Sequence, residues 1–333
     1  MVSILLGNEG NIKRVYSPEV MQQLEKEAGL DSTIIIPSDR IAEYQAITEQ
    51  ADYLFTTWGM PMLTEKEIED LFPRLKAVFY AAGSVKGFAT PFLNRGIQVF
   101  SAWGANAVPV AEYTVAQILL ANKGFFQAAA HNSRGEIAEA RKFNNCFSGN
   151  YKCKVGIIGA GMIGKLVIQL LKSYELKVLV FDPFLSDESA TQLGVSKCSL
   201  AQLFTECQTI TNHLANNPQT VGMLNYDLFS LMQSNSTFIN TGRGAQIVED
   251  DLVRILSENP NITALLDVTD PEPSVDGHAF YSLPNAFLTP HIAGSMGNEV
   301  VRMSQFMLDE FRLLRSGGQV KYQVTLKMLE TMA

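Results

Sequence analysis

The sequence predicts an α/β protein with two doubly wound parallel sheets, and three observations lead to this fold class. Short apolar runs alternate with amphipathic stretches throughout the first hundred residues. Six more short runs, mostly of β-branched and aliphatic residues, follow residue 150, with helical stretches between several of them. Alternation of this kind gives parallel βα units with helices on the sheet. At 333 residues, the chain is also long enough for two domains with separate cores.

The first block of the chain contains five predicted strands and four predicted helices. The strands are Val2–Leu6, Thr33–Ile36, Tyr53–Thr56, Ala77–Tyr80 and Gln98–Phe100. The helices are Pro18–Ala28, Asp39–Thr48, Thr64–Leu71 and Thr90–Asn94. The third helix begins with capping-box spacing, because Thr64 is followed three positions later by Glu67. We therefore expect a helix-covered parallel sheet in this block.

The second block begins with a long apolar helix and continues with six strands. Asn106 as the cap and Pro109 in the first turn predict a helix that continues from Val110 to Lys123. Because this helix is apolar on most sides, we expect it to be buried against a domain or a second subunit. A last amphipathic helix is predicted from Glu299 to the glycine pair at 317–318. The six strands are Lys154–Ile158, Lys177–Phe181, Thr209–His213, Thr237–Asn240, Ile262–Val268 and Ala286–Leu288.

The composition argues against several classes of protein. The formal net charge is −8 and no lysine or arginine run is present, so nucleic acids and anionic membranes are not expected partners. The cysteines form no CxxC pair and have no histidine at metal-ligand spacing, which predicts free thiols and no metal site. The N-terminus lacks signal-peptide features, and no apolar stretch approaches the length of a membrane span. We therefore expect a soluble, cytoplasmic protein. The cysteines are Cys146, Cys153, Cys198 and Cys207.

A glycine motif follows the first strand of the second block. A lone GxGxxG motif is weak, but this one follows a strand and opens a helix, as a dinucleotide site requires. Gly159 permits the tight turn, Gly161 lets the backbone approach a pyrophosphate, and Gly164 allows close packing of helix on strand. The amides of Met162 and Ile163 would face the phosphates at the positive end of the helix. An ordinary βα turn is the alternative interpretation.

An acidic residue directly follows the next strand. Asp182 comes 18 positions after Gly164. An acid at this point accepts hydrogen bonds from the ribose 2′- and 3′-hydroxyls and repels a 2′-phosphate. Pro183 stands where an arginine would serve a 2′-phosphate. The predicted cofactor is therefore NAD and not NADP.

Three charged residues, Arg243, Glu272 and His291, follow three successive predicted strands. Ligand chemistry in doubly wound sheets collects beyond the carboxyl ends of the strands, so these loops are expected to converge. Each residue alone also has a purely structural interpretation. Arg243 could cap a turn, Glu272 could lie in a solvated loop, and His291 could be a structural histidine. Their combination downstream of a cofactor motif favours a catalytic role.

The three residue types suit the interconversion of a 2-hydroxy acid and its 2-keto acid. Arg243 offers a planar, permanent cation to the substrate carboxylate and can polarise the adjacent carbonyl. His291 can donate a proton in reduction and accept one in oxidation. Glu272 would orient the imidazole and favour its protonated form. Asp267 is predicted to hold the nicotinamide carboxamide or ribose.

These motifs resemble those of the D-isomer-specific 2-hydroxyacid dehydrogenase family, in its glyoxylate/hydroxypyruvate reductase-like and phosphoglycerate dehydrogenase-related members. The resemblance covers nearly the whole chain. The matching segments are Gly159–Gly164, Asp182, Asn240-Thr-Gly-Arg-Gly244, Asp267-Val268 with Glu272-Pro273, Thr289-Pro-His-Ile-Ala-Gly294, Ala82-Gly-Ser-Val-Lys86, and Asn106-Ala107 with Val110-Ala-Glu112.

The resemblance implies a fold, an oligomeric state and further site residues. A Rossmann NAD domain, residues 103–297, would be inserted into a flavodoxin-like substrate domain made of residues 1–102 and 298–333. The chain would form a homodimer through its cofactor domain. Backbone amides of Gly83 and Ser84 would meet the substrate carboxylate, and His213 and Thr241 would lie at the cofactor. The stretch after His213 departs from the family's His-x-Pro-Leu-Thr pattern, and Met162 replaces an arginine found in many members.

The favoured reaction interconverts a small D-2-hydroxy acid and its 2-keto acid, with a keto acid of the glyoxylate or hydroxypyruvate type as the favoured substrate. Two alternatives stay open: phosphite oxidation on the same fold, and an NADH-sensing protein similar to the corepressors that share it. Formate oxidation is disfavoured, because formate dehydrogenases of this family carry Gln where this chain has Glu272.

Overall fold

The computed structural model describes residues 1–330 and divides the chain into two compact units. Of the described residues, unit 1 contains 1–106 and 295–330, and unit 2 contains 107–294. The sequence prediction put the two boundaries a few residues away, at 102/103 and 297/298. Each unit has its own parallel sheet with helices, so the predicted fold class is confirmed.

The described part of the chain contains 13 strands. They are β1 (Ser3–Leu6), β2 (Leu30–Ile36), β3 (Tyr53–Thr56), β4 (Ala77–Tyr80), β5 (Gln98–Ser101), β6 (Lys154–Ile158), β7 (Lys177–Phe181), β8 (Ser196–Lys197), β9 (Thr209–Asn212), β10 (Thr237–Asn240), β11 (Thr263–Leu266), β12 (Ala286–Leu288) and β13 (Gln323–Val324).

The α-helices carry most of the remaining chain, with short 3₁₀ turns between some of them. They are α1 (Glu9–Val15), α2 (Pro18–Ala28), α3 (Gln45–Thr48), α4 (Glu65–Leu71), α5 (Ala89–Asn94), α6 (Trp103–Ala121), α7 (Phe125–Ser133), α8 (Ile137–Lys142), α9 (Met162–Leu171), α10 (Asp187–Leu193), α11 (Leu200–Glu206), α12 (Tyr226–Phe229), α13 (Glu249–Glu258), α14 (Val301–Ser316) and α15 (Leu326–Leu329).

The unit 1 sheet has the strand order β13-β5-β4-β3-β1-β2. Strands β1 to β5 pair in parallel, in the 2-1-3-4-5 order of flavodoxin-like sheets. Strand β13 adds an antiparallel edge beside β5. Strands β3 and β4 are buried at every position, as expected for parallel strands covered on both faces.

Aromatic rings fill the centre of unit 1. Phe79 is stacked between Phe55 and Phe100, with ring centroids 4.9 Å apart on each side. Phe311 of α14 meets the Phe79 ring edge-on at 5.7 Å. Helix α14 therefore belongs to the same core as the N-terminal strands, although nearly the whole of unit 2 separates them in sequence.

The unit 2 sheet has the strand order β12-β11-β10-β9-β6-β7-β8, and all of its strands are parallel. Counted from β6, this is the 3-2-1-4-5-6 order of dinucleotide-binding sheets with one further strand. The strand order reverses between β6 and β9, where sheets of this type bind their ligands. The chain leaves these two strands at Gly159 and His213.

The predicted start of the long apolar helix was wrong. Helix α6 begins at Trp103, and Pro109 lies inside it, not in its first turn. The first intrahelical bond runs from the amide of Asn106 to the carbonyl of Ala102. Ala102 and Ala105 are fully buried in the unit 1 core, so packing overrides the cap signal. The Asn106 side chain instead accepts a hydrogen bond from the Ser295 amide at 3.0 Å.

Three other helical regions differ from the prediction. The predicted helix Asp39–Thr48 is a 3₁₀ turn at Ile41–Tyr44 followed by the short α3. Helix α1 was not predicted, because it buries only Ile12 and Val15 and shows little periodicity. Helices α7 and α8 were also not predicted.

Within residues 1–330, no helix is both long and apolar enough to span a membrane. The four cysteines are all free. The same residues contain no group of three or more histidine, cysteine or acidic side chains that could hold a metal ion.

Candidate active site

The glycine loop between β6 and α9 has the geometry that a dinucleotide requires. Gly159 has a φ of +89°, in the left-handed region that favours glycine. A Cβ on Gly164 would overlap the carbonyl of Gly159, so this helix can approach the strand only with glycine. A Cβ on Gly161 would meet no atom within 4 Å. The backbone at Gly161 therefore faces open space of the kind a pyrophosphate would fill.

The N-terminus of α9 adds an anion-binding element to this loop. Gly161 is the N-cap residue, and no side chain caps the first turn. The amides of Met162 and Ile163 belong to this turn, where helix amides and the helix dipole favour a phosphate. The loop residues thus fit the cofactor that the sequence predicts.

Asp182 lies against the glycine loop and is hydrogen-bonded to its backbone. Its Oδ2 accepts a hydrogen bond from the Ala160 amide at 2.6 Å, and its Oδ1 accepts one from the Phe184 amide at 2.7 Å. Each carboxylate oxygen has a second lone pair for a ribose hydroxyl. The acid is therefore fixed beside the glycine loop before any ligand binds.

Glu272 and His291 are in direct contact, as a catalytic pair would be. The Nδ1 of His291 and the Oε1 of Glu272 form a short hydrogen bond. Both side chains are partly exposed, His291 by 44% and Glu272 by 40%. Because Nδ1 is engaged by the carboxylate, Nε2 is the ring nitrogen left to face a ligand.

The loop that carries His291 is anchored by the buried carboxylate of Asp267. This carboxylate accepts hydrogen bonds from the Thr289 hydroxyl at 2.6 Å and from the amides of Ile292 and Ala293 at 2.8 and 2.9 Å. Its observed contacts are thus to the His291 loop. The predicted contact of Asp267 with nicotinamide stays a prediction.

Tyr113 of α6 extends this anchor. Its hydroxyl lies 3.2 Å from the Thr289 hydroxyl, which itself donates to Asp267. Burial raises the pKa of the Tyr113 phenol above its usual range, so the group stays a neutral hydroxyl. Neither Tyr113 nor the role of Thr289 was predicted from the sequence, because their partners lie far away in the chain.

A second histidine–carboxylate contact holds the loop that carries Glu272. The Glu249 carboxylate accepts a hydrogen bond from the Asp270 amide at 2.9 Å, and it lies 3.1 Å from the Nε2 of His278. Burial raises the pKa of Glu249. Both ends of the 270–278 loop are therefore attached to the start of α13.

Arg243 lies on the neighbouring loop, after β10. Its Nη1 donates to the carbonyl of Gly242 at 2.7 Å, and it forms no ion pair with a carboxylate among residues 1–330. A Cβ on Gly244 would overlap the backbone of Thr269, so the Arg243 loop packs directly against the start of the Glu272 loop. The guanidinium therefore has charge available for an anionic ligand.

Two predicted cofactor residues are buried. His213 is almost fully buried; its Nε2 lies 3.1 Å from the Thr211 hydroxyl, and its Nδ1 has no hydrogen-bond partner in the described chain. Burial lowers the pKa of His213 to about 3, so the ring is neutral at pH 7. The Thr241 hydroxyl lies 3.3 Å from that of Thr114 on α6. Contact of either residue with a cofactor stays a prediction.

A cavity of about 540 Å³ opens beside the Glu272–His291 pair in unit 2. Its walls include Asp267, Thr269, Tyr281 and both members of the pair. The predicted substrate residues Gly83 and Ser84 belong to unit 1, directly beyond β4. There the Ser101 hydroxyl donates to the carbonyl of Ala82 at 3.0 Å and holds the start of their loop.

Comparison with known proteins assigns most of unit 2 to one family. Residues 115–293 match the model of the D-isomer specific 2-hydroxyacid dehydrogenase, NAD binding domain. A D-3-phosphoglycerate dehydrogenase of Archaeoglobus fulgidus is 30% identical over 71% of this chain and 44% of its own length. A formate dehydrogenase of Chaetomium thermophilum is 28% identical over 89% of this chain and 85% of its own.

A phosphoglycerate oxidoreductase from Rhizobium etli has a similar structure, with a TM-score of 0.80, 21% identity and coverage of 99% of both chains. This likeness concerns the fold alone. The chain spans only about half the length of the phosphoglycerate dehydrogenases of Archaeoglobus and Synechocystis that it matches.

Proposed function

This chain belongs to the family of D-isomer specific 2-hydroxyacid dehydrogenases and has its NAD-binding domain, and from that premise we propose that it interconverts a small D-2-hydroxy acid and its 2-keto acid. The observation that carries the proposal is the direct contact of Glu272 with His291, beside a loop whose Arg243 has no carboxylate partner in the described chain. A proton donor and a free cation are the two groups that reduction of a keto acid needs.

The chemistry of the three side chains supports one role for each of them. Arg243 binds the substrate carboxylate through its guanidinium. NADH, held at the Gly159–Gly164 loop and Asp182, would supply the hydride. The Nε2 of His291 gives its proton to the keto oxygen in reduction and takes it back in oxidation, while Glu272 holds the ring at Nδ1.

Asp182 supports NAD over NADP. Its carboxylate is fixed by two backbone amides beside the glycine loop. A 2′-phosphate at that point would meet a fixed negative charge, whereas the ribose hydroxyls of NAD would find an acceptor.

We propose glyoxylate- or hydroxypyruvate-type keto acids as the substrate class. Formate oxidation is the runner-up that the relatives suggest. Formate gives up a hydride without an O–H proton to remove. Its oxidation would therefore not use the Glu272–His291 pair as a proton acceptor. D-3-phosphoglycerate, named by another relative, is a second 2-hydroxy acid to be tested.

The decisive experiment follows NADH oxidation with a panel of 2-keto acids, and NAD reduction with D-3-phosphoglycerate, formate and phosphite. We expect His291→Ala to lower kcat/KM about 10³-fold or more, since general acid–base catalysis contributes about 10²–10⁴-fold. His131→Ala is the matched control, because His131 also pairs with a glutamate, Glu136, at 2.6 Å. It should leave kcat/KM unchanged.

Three other outcomes would change the proposal. A preference for NADPH would contradict the role of Asp182. Turnover of formate or phosphite without any keto acid would contradict the substrate class. Tight NADH binding without turnover in any assay would favour an NADH sensor.

We also propose that the chain forms a homodimer through unit 2. Three large apolar side chains on α6, α7 and α8 are substantially exposed: Leu120 by 40%, Phe125 by 48% and Ile137 by 53%. Exposed apolar groups on neighbouring helices favour a protein contact. Light scattering should give twice the chain mass for the wild type, and a monomer would contradict the proposal.

A further inference from the structure

Three fully buried carboxamide side chains lie behind the Arg243 loop: Asn212 at the end of β9, Asn240 at the end of β10, and Gln246 just after Arg243. We refer to these three residues as the amide bracket. Asn212 and Asn240 are opposite each other in the sheet. The Nδ2 of Asn212 donates to the Oδ1 of Asn240 at 3.0 Å and to the Oε1 of Gln246 at 2.6 Å. Asn212 therefore joins the other two side chains inside the protein through both hydrogens of its amide nitrogen.

The bracket fixes both backbone polar groups of Arg243. The Arg243 amide donates to the Oε1 of Gln246 at 3.3 Å, and the Arg243 carbonyl accepts from the Nδ2 of Asn240 at 3.0 Å. A Cβ on Gly242 would lie 2.9 Å from the same Gln246 oxygen, so a side chain there would crowd the bracket, and glycine lets the loop lie this close to it. The backbone from which the Arg243 side chain projects is thus held by buried amides.

The same bracket fixes both backbone polar groups of Leu214, in the loop after β9. The Leu214 amide donates to the Oδ1 of Asn212 at 3.2 Å, and its carbonyl accepts from the Nε2 of Gln246 at 2.8 Å. Gln246 therefore contacts both loops directly, and Asn212 contacts Leu214 directly and Arg243 through Gln246. A displacement of one loop would break hydrogen bonds that also hold the other.

Uncharged amides suit this position. Burying a charged group carries a much larger desolvation penalty than burying a hydrogen-bonded amide. A loop held by neutral groups leaves the Arg243 guanidinium without an internal carboxylate partner, as the structure shows for the described chain. The bracket can therefore fix the backbone without neutralising the charge that the substrate needs.

We propose that Asn212 and Gln246 are positioning residues, which set the backbone of Arg243 and tie it to the 213–216 loop. This inference rests on the proposed function, in which the Arg243 guanidinium binds the substrate carboxylate. A small displacement of such a group is costly, since a misplacement of about 1 Å can lower a rate about 10²-fold.

The tie between the two loops is tested by amide hydrogen exchange on the full chain, read by mass spectrometry. Gln246→Met and Asn212→Leu keep the side-chain volume and remove the hydrogen bonds. In both variants we expect segments 213–216 and 241–246 to exchange about 10-fold faster or more. If only the loop next to the substituted residue changes, the tie is overturned.

Asn285→Leu is the matched control for the loss of a buried amide. Asn285 is buried in unit 2 and donates to the carbonyls of Leu256 and Ile262 at 3.0 and 2.7 Å. It contacts neither loop of the bracket through these bonds. We expect it to lower the Tm by a similar amount without speeding exchange in segments 213–216 and 241–246.

Steady-state kinetics then test whether the bracket contributes to substrate binding by Arg243. With the keto acid that the wild type reduces best, kcat/KM should fall about 10–100-fold in both bracket variants, mainly through the KM of the keto acid. Asn285→Leu should keep the wild-type kcat/KM. Faster exchange in both loops with unchanged kcat/KM would overturn the positioning role. A wild type that reduces no keto acid would overturn the proposed function, while the exchange result would still decide whether the bracket holds Arg243.

Discussion

The two units contain the same kind of sheet but bury different side chains where their strands end. Strands β3, β4 and β5 of unit 1 end in Thr56, Tyr80 and Ser101, whose only polar side-chain group is a hydroxyl. In unit 2, buried carboxamides end β9 and β10, and the buried carboxylate of Asp267 follows β11. Amides and carboxylates can engage several loop groups at once, whereas a hydroxyl engages fewer.

This difference indicates where the molecule uses its polar interactions. The unit 1 sheet is organised around stacked aromatic rings. The unit 2 sheet uses buried polar side chains to hold the loops that carry Arg243 and His291. Substitutions in the first region should therefore change mainly stability, and substitutions in the second should change mainly chemistry.

Phe79→Ala should lower the free energy of unfolding of unit 1 by about 3–5 kcal/mol, because it removes the ring between Phe55 and Phe100 and leaves a cavity. Urea unfolding measures this loss. Phe184→Ala is the control, since that ring is 93% exposed, and it should change stability by less than about 0.5 kcal/mol. Equal losses in the two variants would contradict the assigned core.

Arg243→Lys should lower kcat/KM for the keto acid about 100-fold while stability stays near that of the wild type. Lysine keeps the charge but loses the planar fork, and a hydrogen bond to a charged group contributes about 1.5–3 kcal/mol. Arg254→Lys, at an exposed pair with Glu258, is the control and should have no effect. A matching loss of NADH affinity in Arg243→Lys would place the arginine at the cofactor instead.

His213 should make unit 2 sensitive to acid. Its pKa is lowered by burial to about 3, below the ordinary histidine value of 6.5. A neutral buried ring contributes stability that is fully present above pH 6.5 and is lost as the pH falls toward 3, because the unfolded chain binds the proton first. At pH 4.5 the loss should be about 2–3 kcal/mol.

His213→Gln should remove this part of the acid sensitivity. Chemical unfolding at pH 7.5 and pH 4.5 measures the difference for the variant and for the wild type. If the two proteins lose the same stability between these pH values, the histidine titrates normally in the folded state.

Tyr113→Phe should have the smallest effect, a fall in kcat of about 3–10-fold with little change in KM. The variant removes the hydroxyl that contacts Thr289, which in turn donates to Asp267 behind the His291 loop. Tyr174→Phe is the control, because Tyr174 is 41% exposed. Wild-type kcat in Tyr113→Phe would show that Asp267 holds the loop without it.

Much of the fold could be predicted from the sequence, because its parallel strands are short apolar runs with clear ends. Strands β3, β4, β6, β7, β10 and β12 match their predicted bounds residue for residue. The contact of Glu272 with His291 also could be predicted, since the loops after neighbouring parallel strands meet at one edge. The sequence signal there is local and does not depend on packing.

The remaining parts depend on contacts between residues far apart in the chain. Asn212 and Gln246 are ordinary polar residues in the sequence, and only the pairing of β9 with β10 brings them together. Tyr113 lies 176 positions before its partner Thr289. Helix α6 begins at Trp103 because Ala102 just before it and Ala105 in its first turn are buried, which no cap rule records.

Glycines of the glycine loop and of the Arg243 loop are required for two different reasons. Gly164 and Gly244 are required by the folded chain itself, because any side chain there would overlap neighbouring backbone. Gly161 has no such neighbour. A lineage under selection for folding alone could therefore replace Gly161 with alanine or serine, but not the other two. The persistence of glycine at position 161 among descendants of this gene would thus record selection for a bound cofactor, independently of any assay.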